Sequence, residues 1–200
     1  MSPTLTTLAT TTLIAVIFGI QNPATALVKP PISANEIVNS NQKISKYLDA
    51  IAQNTYRGPD RDFAIDMPGR ITNNTNEQLT SVSSSTNTAY TIMHRDSPAA
   101  TQLTPLQIRQ VLQISMQEAF GGTGVVVRTT SYEIEGYPGL EILIRHSDGM
   151  LGQYRAFAVN QRLYFMGAVT PNKFTREAFN FFNSFRIYPE RIRYSNSEVY

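Results

Sequence analysis

The chain has no cysteine and no tryptophan, and only two histidines among its 200 residues. Without cysteine there is no disulfide framework, no thiolate nucleophile and no sulfur ligand for zinc or an iron–sulfur cluster. Redox usage therefore says nothing about compartment. His94 and His146 alone leave few routes to an imidazole-rich metal centre or a histidine-based catalytic unit. Charge is thin as well. Lys plus Arg number 17 against 15 Asp plus Glu, a net +2, and the basic residues are scattered. A nucleic-acid surface shows as a basic stripe with interleaved aromatics; none is present, so nucleic acid is not an expected partner. Long apolar runs are missing too, since Leu13 to Ile20 falls well short of the ~20 residues that span a bilayer.

Aromatics, by contrast, are plentiful, with ten Phe and ten Tyr, enough to furnish a core. The clearest unit runs from Gly152 to Phe185. Arg155, Phe157 and Val159 alternate with Tyr154, Ala156 and Ala158, the period of two of a strand. Asn160-Gln161 supplies a turn, because Asn tolerates left-handed backbone angles. The return strand sets Leu163, Phe165 and Val169 against Tyr164, Met166 and Ala168, so both its faces are apolar and each needs a cover. Phe174, Ala178, Phe181, Phe182 and Phe185 follow at helical spacing and provide one. Phe179 and Phe182 do not both fit that stripe, which leaves one of them exposed.

The start of the chain reads as an export signal. After the apolar core come Asn22-Pro23 and then Ala24-Thr25-Ala26, a small-x-small pattern that puts cleavage between Ala26 and Leu27. No Lys or Arg precedes the core, which is atypical, and an uncleaved anchor or a buried apolar segment are the alternatives. Residues 27–60 read as a Pro-containing linker and an amphipathic helix from Glu36 to Tyr56, with Ile37, Ile44, Tyr47, Leu48 and Ile51 on one stripe. That helix either packs on the domain or serves as a contact arm for a partner.

Residues 61–187 read as the domain, and 188–200 as a polar tail. Phe63, Ile65 and Met67 alternate inward as a strand, Pro68-Gly69 turns the chain, and the polar run from Thr72 to Gln78 reads as a loop. Leu79 to Ser85 and Thr88 to Arg95 form a hairpin. A helix begins at Thr104-Pro105, where Thr104 and Gln107 make a capping box. Ile108, Val111, Leu112, Ser115 and Ala119 form its buried stripe, widened by Ile114 and Met116, and Gly121-Gly122 ends it. Val125 to Glu135 and Leu140 to His146 are strands joined through Gly136 to Gly139. Short connections require antiparallel pairing. The expected fold is α+β: an α/β/α sandwich around a central antiparallel sheet, with the two helices on opposite faces.

No assembled chemistry emerges. Gly121-Gly122-Thr123-Gly124 lies between a helix and a strand, in the wrong order for a phosphate loop and without its Lys. His94 with Asp96, and His146 with Asp148, place a carboxylate two residues from each histidine, where a strand puts them on one face. Two groups are too few for a structural zinc site, and no Ser sits in a strained elbow. Glu133, Glu135 and Glu141 are expected to face solvent. No catalytic, cofactor or metal residue is assigned; a small-ligand or divalent-metal site using His94, Asp96 and His146 is the alternative to a non-catalytic role.

Several stretches taken in order resemble the PsbP-like group of exported proteins: Phe63 to Gly69 (FAIDMPG), Asp96 with Pro98, and Glu135 to Glu141 (EGYPGLE). Asn160 to Tyr164 (NQRLY) and Phe182 to Phe185 (FNSF) complete the set. The resemblance covers about Asp62 to Ile187. It implies an α/β/α sandwich, export to a thylakoid lumen or a periplasm, and peripheral association with a membrane protein complex or another exported protein. The best-known members are extrinsic subunits of photosystem II. Calcium enters only through this resemblance, and no residue is carried over as its ligand.

Overall fold

The computed structural model describes residues 55–121 and 124–194, without the side chains of 119–121. The expected signal segment, its cleavage at Ala24, Ala26 and Leu27, the linker, and the helix up to residue 54 lie outside the described residues. So do Gly122, Thr123 and residues 195–200.

The first described element corrects the end of that helix. Thr55–Arg57 is a strand, β1, paired with β2, Phe63–Asp66, so that Tyr56 lies opposite Ile65. Tyr56 turns its ring toward Phe63 at 5.9 Å, and that contact favours the extended backbone. β3, Arg70–Asn74, replaces the expected polar loop. It is exposed throughout and held by pairing with β4, Gln78–Ser83, with a bulge between Ile71 and Asn73. β5, Thr88–Asp96, completes the expected hairpin, and Asn87 takes the left-handed angle its turn needs (φ 50°).

A short 3-10 turn, Pro98–Gln102, leads to helix α1, Pro105–Gly121. Its capping box forms as expected: Gln107 N–H donates to Thr104 Oγ1 (3.3 Å), and Thr104 N–H to Gln107 Oε1 (2.9 Å). Ile108, Leu112, Ser115 and Met116 are buried, but Ile114 is exposed, on the far side of the helix.

Four strands then run back and forth: β6, Gly124–Ile134; β7, Tyr137–His146; β8, Leu151–Val159; and β9, Arg162–Thr170. The β6–β7 turn is tighter than expected. It consists of Glu135 and Gly136, both with positive φ (48° and 85°), the pattern of a two-residue hairpin turn. Tyr137, Pro138 and Gly139 therefore belong to β7. Gly139 lies opposite Phe157, and a Cβ there would come within 2.5 Å of that ring. Helix α2, Arg176–Ser184, follows, then β10, Arg186–Ile187.

The strands form a seven-stranded antiparallel sheet in the order β3-β4-β5-β9-β8-β7-β6, and a small sheet in the order β1-β2-β10. The FAIDM strand thus lies in the small sheet, outside the main one. β9 is internal, as its two apolar faces require. On one face Tyr90, Ile92, Phe157, Tyr164 and Met166 pack with Phe63 and Ile65 of β2 and with Ala178, Phe181 and Phe182 of α2. On the other, Leu140, Ile142, Ile144, Tyr154 and Phe165 pack with Ile108, Leu112 and Met116 of α1. Both covers expected for the phenylalanine-rich hairpin are present.

Beyond β10, residues 188–192 are also packed where a polar tail was expected. Ile187 and Ile192 are buried, Ile187 pairs with Phe63, and Tyr188 N–H donates to the Asp62 carbonyl (2.7 Å). Phe179 is the exposed aromatic of α2, at 52%, whereas Phe181 is fully buried. Phe181→Ala should therefore lower unfolding free energy by about 3–5 kcal/mol, and Phe179→Ala by no more than ~0.5 kcal/mol. Urea titration of the two variants checks the assignment.

Candidate functional site

Three clusters carry the polar chemistry of the described residues. The first surrounds Arg162, whose side chain is almost fully buried at the start of β9. Pairing β9 with β5 puts Asp96 directly opposite Arg162, and Arg162 Nε donates to Asp96 Oδ1 (2.7 Å). Nη1 donates to Asp60 Oδ2 (2.9 Å) and Asp62 Oδ2 (3.0 Å) from the β1–β2 connection. Nη2 donates to the Arg193 carbonyl, and Tyr164 O–H donates to Asp62 Oδ2. Burial opposes the charge on Arg162, but the bonds from Asp96, Asp60 and Asp62 outweigh it and hold the guanidinium protonated beyond its ordinary range. Burial, then the Asp62 bond and charge, push the Tyr164 phenol upward.

His94 belongs to the edge of this cluster, its ring 5.6 Å from Phe63 and 6.3 Å from Tyr164. Burial first, then the charge of Arg162, lower its pKa, opposed by Asp62, the Asn76 backbone and Asp96. Its Nε2 is buried without a hydrogen-bond partner, as is Asp62 Oδ1. His146 lies elsewhere. Its Nε2 bonds the Tyr154 hydroxyl (2.8 Å), and Tyr154 packs on the α1 face of the sheet, whereas the Tyr164 ring beside His94 packs on the α2 face. His94, Asp96 and His146 therefore do not converge on one ion. Asp96 is engaged with Arg162, and Asp148 caps its own turn by accepting from Met150 N–H (3.0 Å). Among the described residues no group of three His, Cys, Asp or Glu side chains is placed to hold a metal. Gly124 opens β6 opposite His146, and a Cβ there would meet the Arg145 carbonyl at 2.5 Å, a packing role.

The second cluster corrects the expectation for Glu141, which is buried on the α2 face. Its Oε2 accepts from Arg155 Nε (2.7 Å) and Gln153 Nε2 (2.8 Å), and its Oε1 from Arg128 Nη2 (3.3 Å). The Arg155 guanidinium lies over the Tyr132 ring (4.4 Å) and the Phe182 ring (4.8 Å), so cation–π attraction adds to the ion pair. Strand alternation within β7 could not reveal this, because the partners come from β6 and β8. In the third, Glu177 in the first turn of α2 accepts from Ser83 Oγ, Thr86 Oγ1 and Tyr90 O–H, tying the helix to the β4–β5 hairpin. Burial and the Glu177 bond raise the Tyr90 pKa.

Beside the second cluster is an open pocket of about 260 Å³ between the end of β6 and the end of α2, lined by Tyr132, Ile134, Glu135, Phe157, Phe182, Asn183, Phe185 and Arg186. The phenylalanines here are core and pocket wall together. β6 itself is the terminal strand of the large sheet, with Val125 and Val127 at 72% and 54% exposure.

No protein-family model matches the chain, and no curated protein matches it. Among solved structures it is similar to a protein from Bacteroides thetaiotaomicron at 7% identity and a TM-score of 0.45, over 70% of this chain and 50% of that one; the match spans half that protein's length. It is similar to cyanobacterial PsbP (CyanoP) from Synechocystis sp. PCC 6803 at 9% identity and a TM-score of 0.47, over 66% of this chain and 91% of that one. A protein of unknown function from Pseudomonas aeruginosa, described as a putative regulator, matches at 8% identity and a TM-score of 0.36, over 56% and 72% of the two chains.

Two predictions follow from the Arg162 cluster. Arg162→Met strands the buried Asp62 carboxylate and should cost about 3–5 kcal/mol, part of which Asp62→Asn restores; a double-mutant cycle by urea unfolding reads the coupling. His94 has a folded pKa below its unfolded value of about 6.5. As pH falls, the unfolded chain takes up the proton first, so stability is lost from the unfolded value down to the folded one. Urea midpoints measured between about pH 7 and 5.5 should fall in the wild type and fall less in His94→Gln.

Proposed function

We propose that this chain is a non-catalytic accessory domain of the PsbP-like kind, an α/β/α sandwich exported to a thylakoid lumen or a periplasm. There it docks on a membrane protein complex or another exported protein. The observation that carries the proposal is the division of its polar groups. The buried charges of the described residues are directed into the fold: Arg162 to Asp60, Asp62 and Asp96, and Arg155 to Glu141. What faces outward is a long sheet edge with exposed valines and an aromatic pocket beside it, features that suit contact with another chain. The motifs from FAIDMPG to FNSF support the family, and through it an extrinsic photosystem II-associated role. Among the described residues no helix is long and apolar enough to cross a membrane, in keeping with peripheral attachment.

A photo-crosslinking amino acid at Val125, installed in the tagged full chain and activated in its native membranes, tests the reading. The expected result is a reproducible link to one membrane-complex subunit or one exported protein, absent when the crosslinker is placed at Asn73 on the opposite sheet edge. Equal, diffuse labelling from both positions, with the protein recovered free, would contradict it. Micromolar calcium, manganese or zinc binding by calorimetry would instead favour the ion-binding alternative.

A further inference from the structure

We infer that the free edge of β6 and the pocket beside it bind an extended acidic segment of the partner, which adds as a further strand to the large sheet. The inference deepens the docking reading and rests on it. Sheet edges are normally blunted by short length, Lys, Pro or bulges. The two edges of this sheet differ sharply in that respect. β3 has five residues and a central bulge, and its Thr72 hydroxyl is engaged by Thr80. β6 has eleven residues, GVVVRTTSYEI, with neither Lys nor Pro, and its bulge lies near one end, between Val126 and Arg128. Among the described residues no strand pairs with its outer side.

The side chains along this edge define what fits. The register places Val125 opposite Arg145, Arg128 opposite Leu143, Thr130 opposite Glu141 and Tyr132 opposite Gly139. Directly paired residues share a face, so Arg128, Thr130, Tyr132 and Ile134 lie on the α2 side, where Tyr132 and Ile134 wall the pocket. An added strand runs about 4.8 Å from β6 and turns alternate side chains onto that same face. An apolar side chain level with Tyr132 enters the aromatic pocket. Four residues away, about 13 Å along the strand, a side chain stands level with Arg128.

Charge selects the sign of that second group. Two guanidiniums, Arg128 and Arg155, share one carboxylate, Glu141, and the Arg128 side chain is 63% exposed. At the pocket wall Arg186 is offset by Glu135, so the excess of positive charge lies at Arg128. At the Arg128 end two guanidiniums meet one carboxylate, so a carboxylate four residues from an apolar anchor complements it. Main-chain bonds to the open edge supply affinity, and the pocket and Arg128 supply selectivity.

The test uses the full chain and a pair of ten-residue peptides of alternating Thr and Ser, each with one Phe anchor. One peptide carries Glu four residues from the Phe, the other Lys. The Glu peptide should bind and slow hydrogen exchange at outward-facing β6 amides, and Arg128→Glu should weaken it at least tenfold while favouring the Lys peptide. Equal binding of both peptides, or binding without β6 protection, overturns the assignment. Outward β6 amides already protected in the dilute monomer would show that another part of this chain covers the edge. Protection that appears only with rising protein concentration, together with dimers in sedimentation, would give the edge to a second copy. Either result overturns the partner assignment. If Val125 crosslinks a partner while the peptides leave β6 unchanged, docking stands and the strand-addition proposal falls; failure of the crosslink in membranes removes the docking reading itself.

Discussion

The structure depends on one buried guanidinium. Arg162 joins four segments far apart in the chain: the start of β9, the end of β5 through Asp96, the β1–β2 connection through Asp60 and Asp62, and the C-terminal segment through the Arg193 carbonyl. Removing a guanidinium and its carboxylates from water is costly, so such a cluster specifies an arrangement more than it stabilises one. Here it fixes how the small sheet sits against the large one. The packing agrees with it: Phe63 of β2 meets Tyr164 of β9 and Phe185 beyond α2, at 5.6 and 5.9 Å between rings.

Much of the fold was legible because its signals are local. The β8–β9 hairpin shows in strict alternation around Asn160, α1 in the Thr104–Gln107 box, and the two-sided burial of β9 in its unbroken apolar composition. What was hidden depends on partners distant in sequence. β3 is exposed on every residue and polar except at Ile71, so little within it signals a strand. β1, β10 and Ile192 are ordered by contacts with β2 and the main core, which a polar composition near the end of the chain conceals. The charged residues are the hardest to place from sequence. Asp96 reads there as a candidate partner of His94, and the β5–β9 register sets it face to face with Arg162 instead. Glu141 looks outward-facing until Arg155 and Gln153 are placed beside it. The expectation that Phe179 and Phe182 would part company held, because it rests on helical geometry alone.

The same contrast separates the two kinds of polar site. At Arg162 and Glu141 opposed charges meet one another. Along β6 the backbone, two valines and Arg128 face outward. There the described structure offers a long terminal strand with a neighbouring hollow. On the proposed docking reading, the edge presented by this frame is where another chain would add.

The most direct measurement of this account is residue-resolved native-state hydrogen exchange on the wild type and on Arg162→Met. If Arg162 is what holds the small sheet and the C-terminal segment to the large sheet, the variant loses protection first in β1, β2, β10 and residues 188–192, while β5, β8 and β9 stay slow to exchange. A uniform loss across all strands, or none in the small sheet, would contradict the claim that this guanidinium organises the molecule.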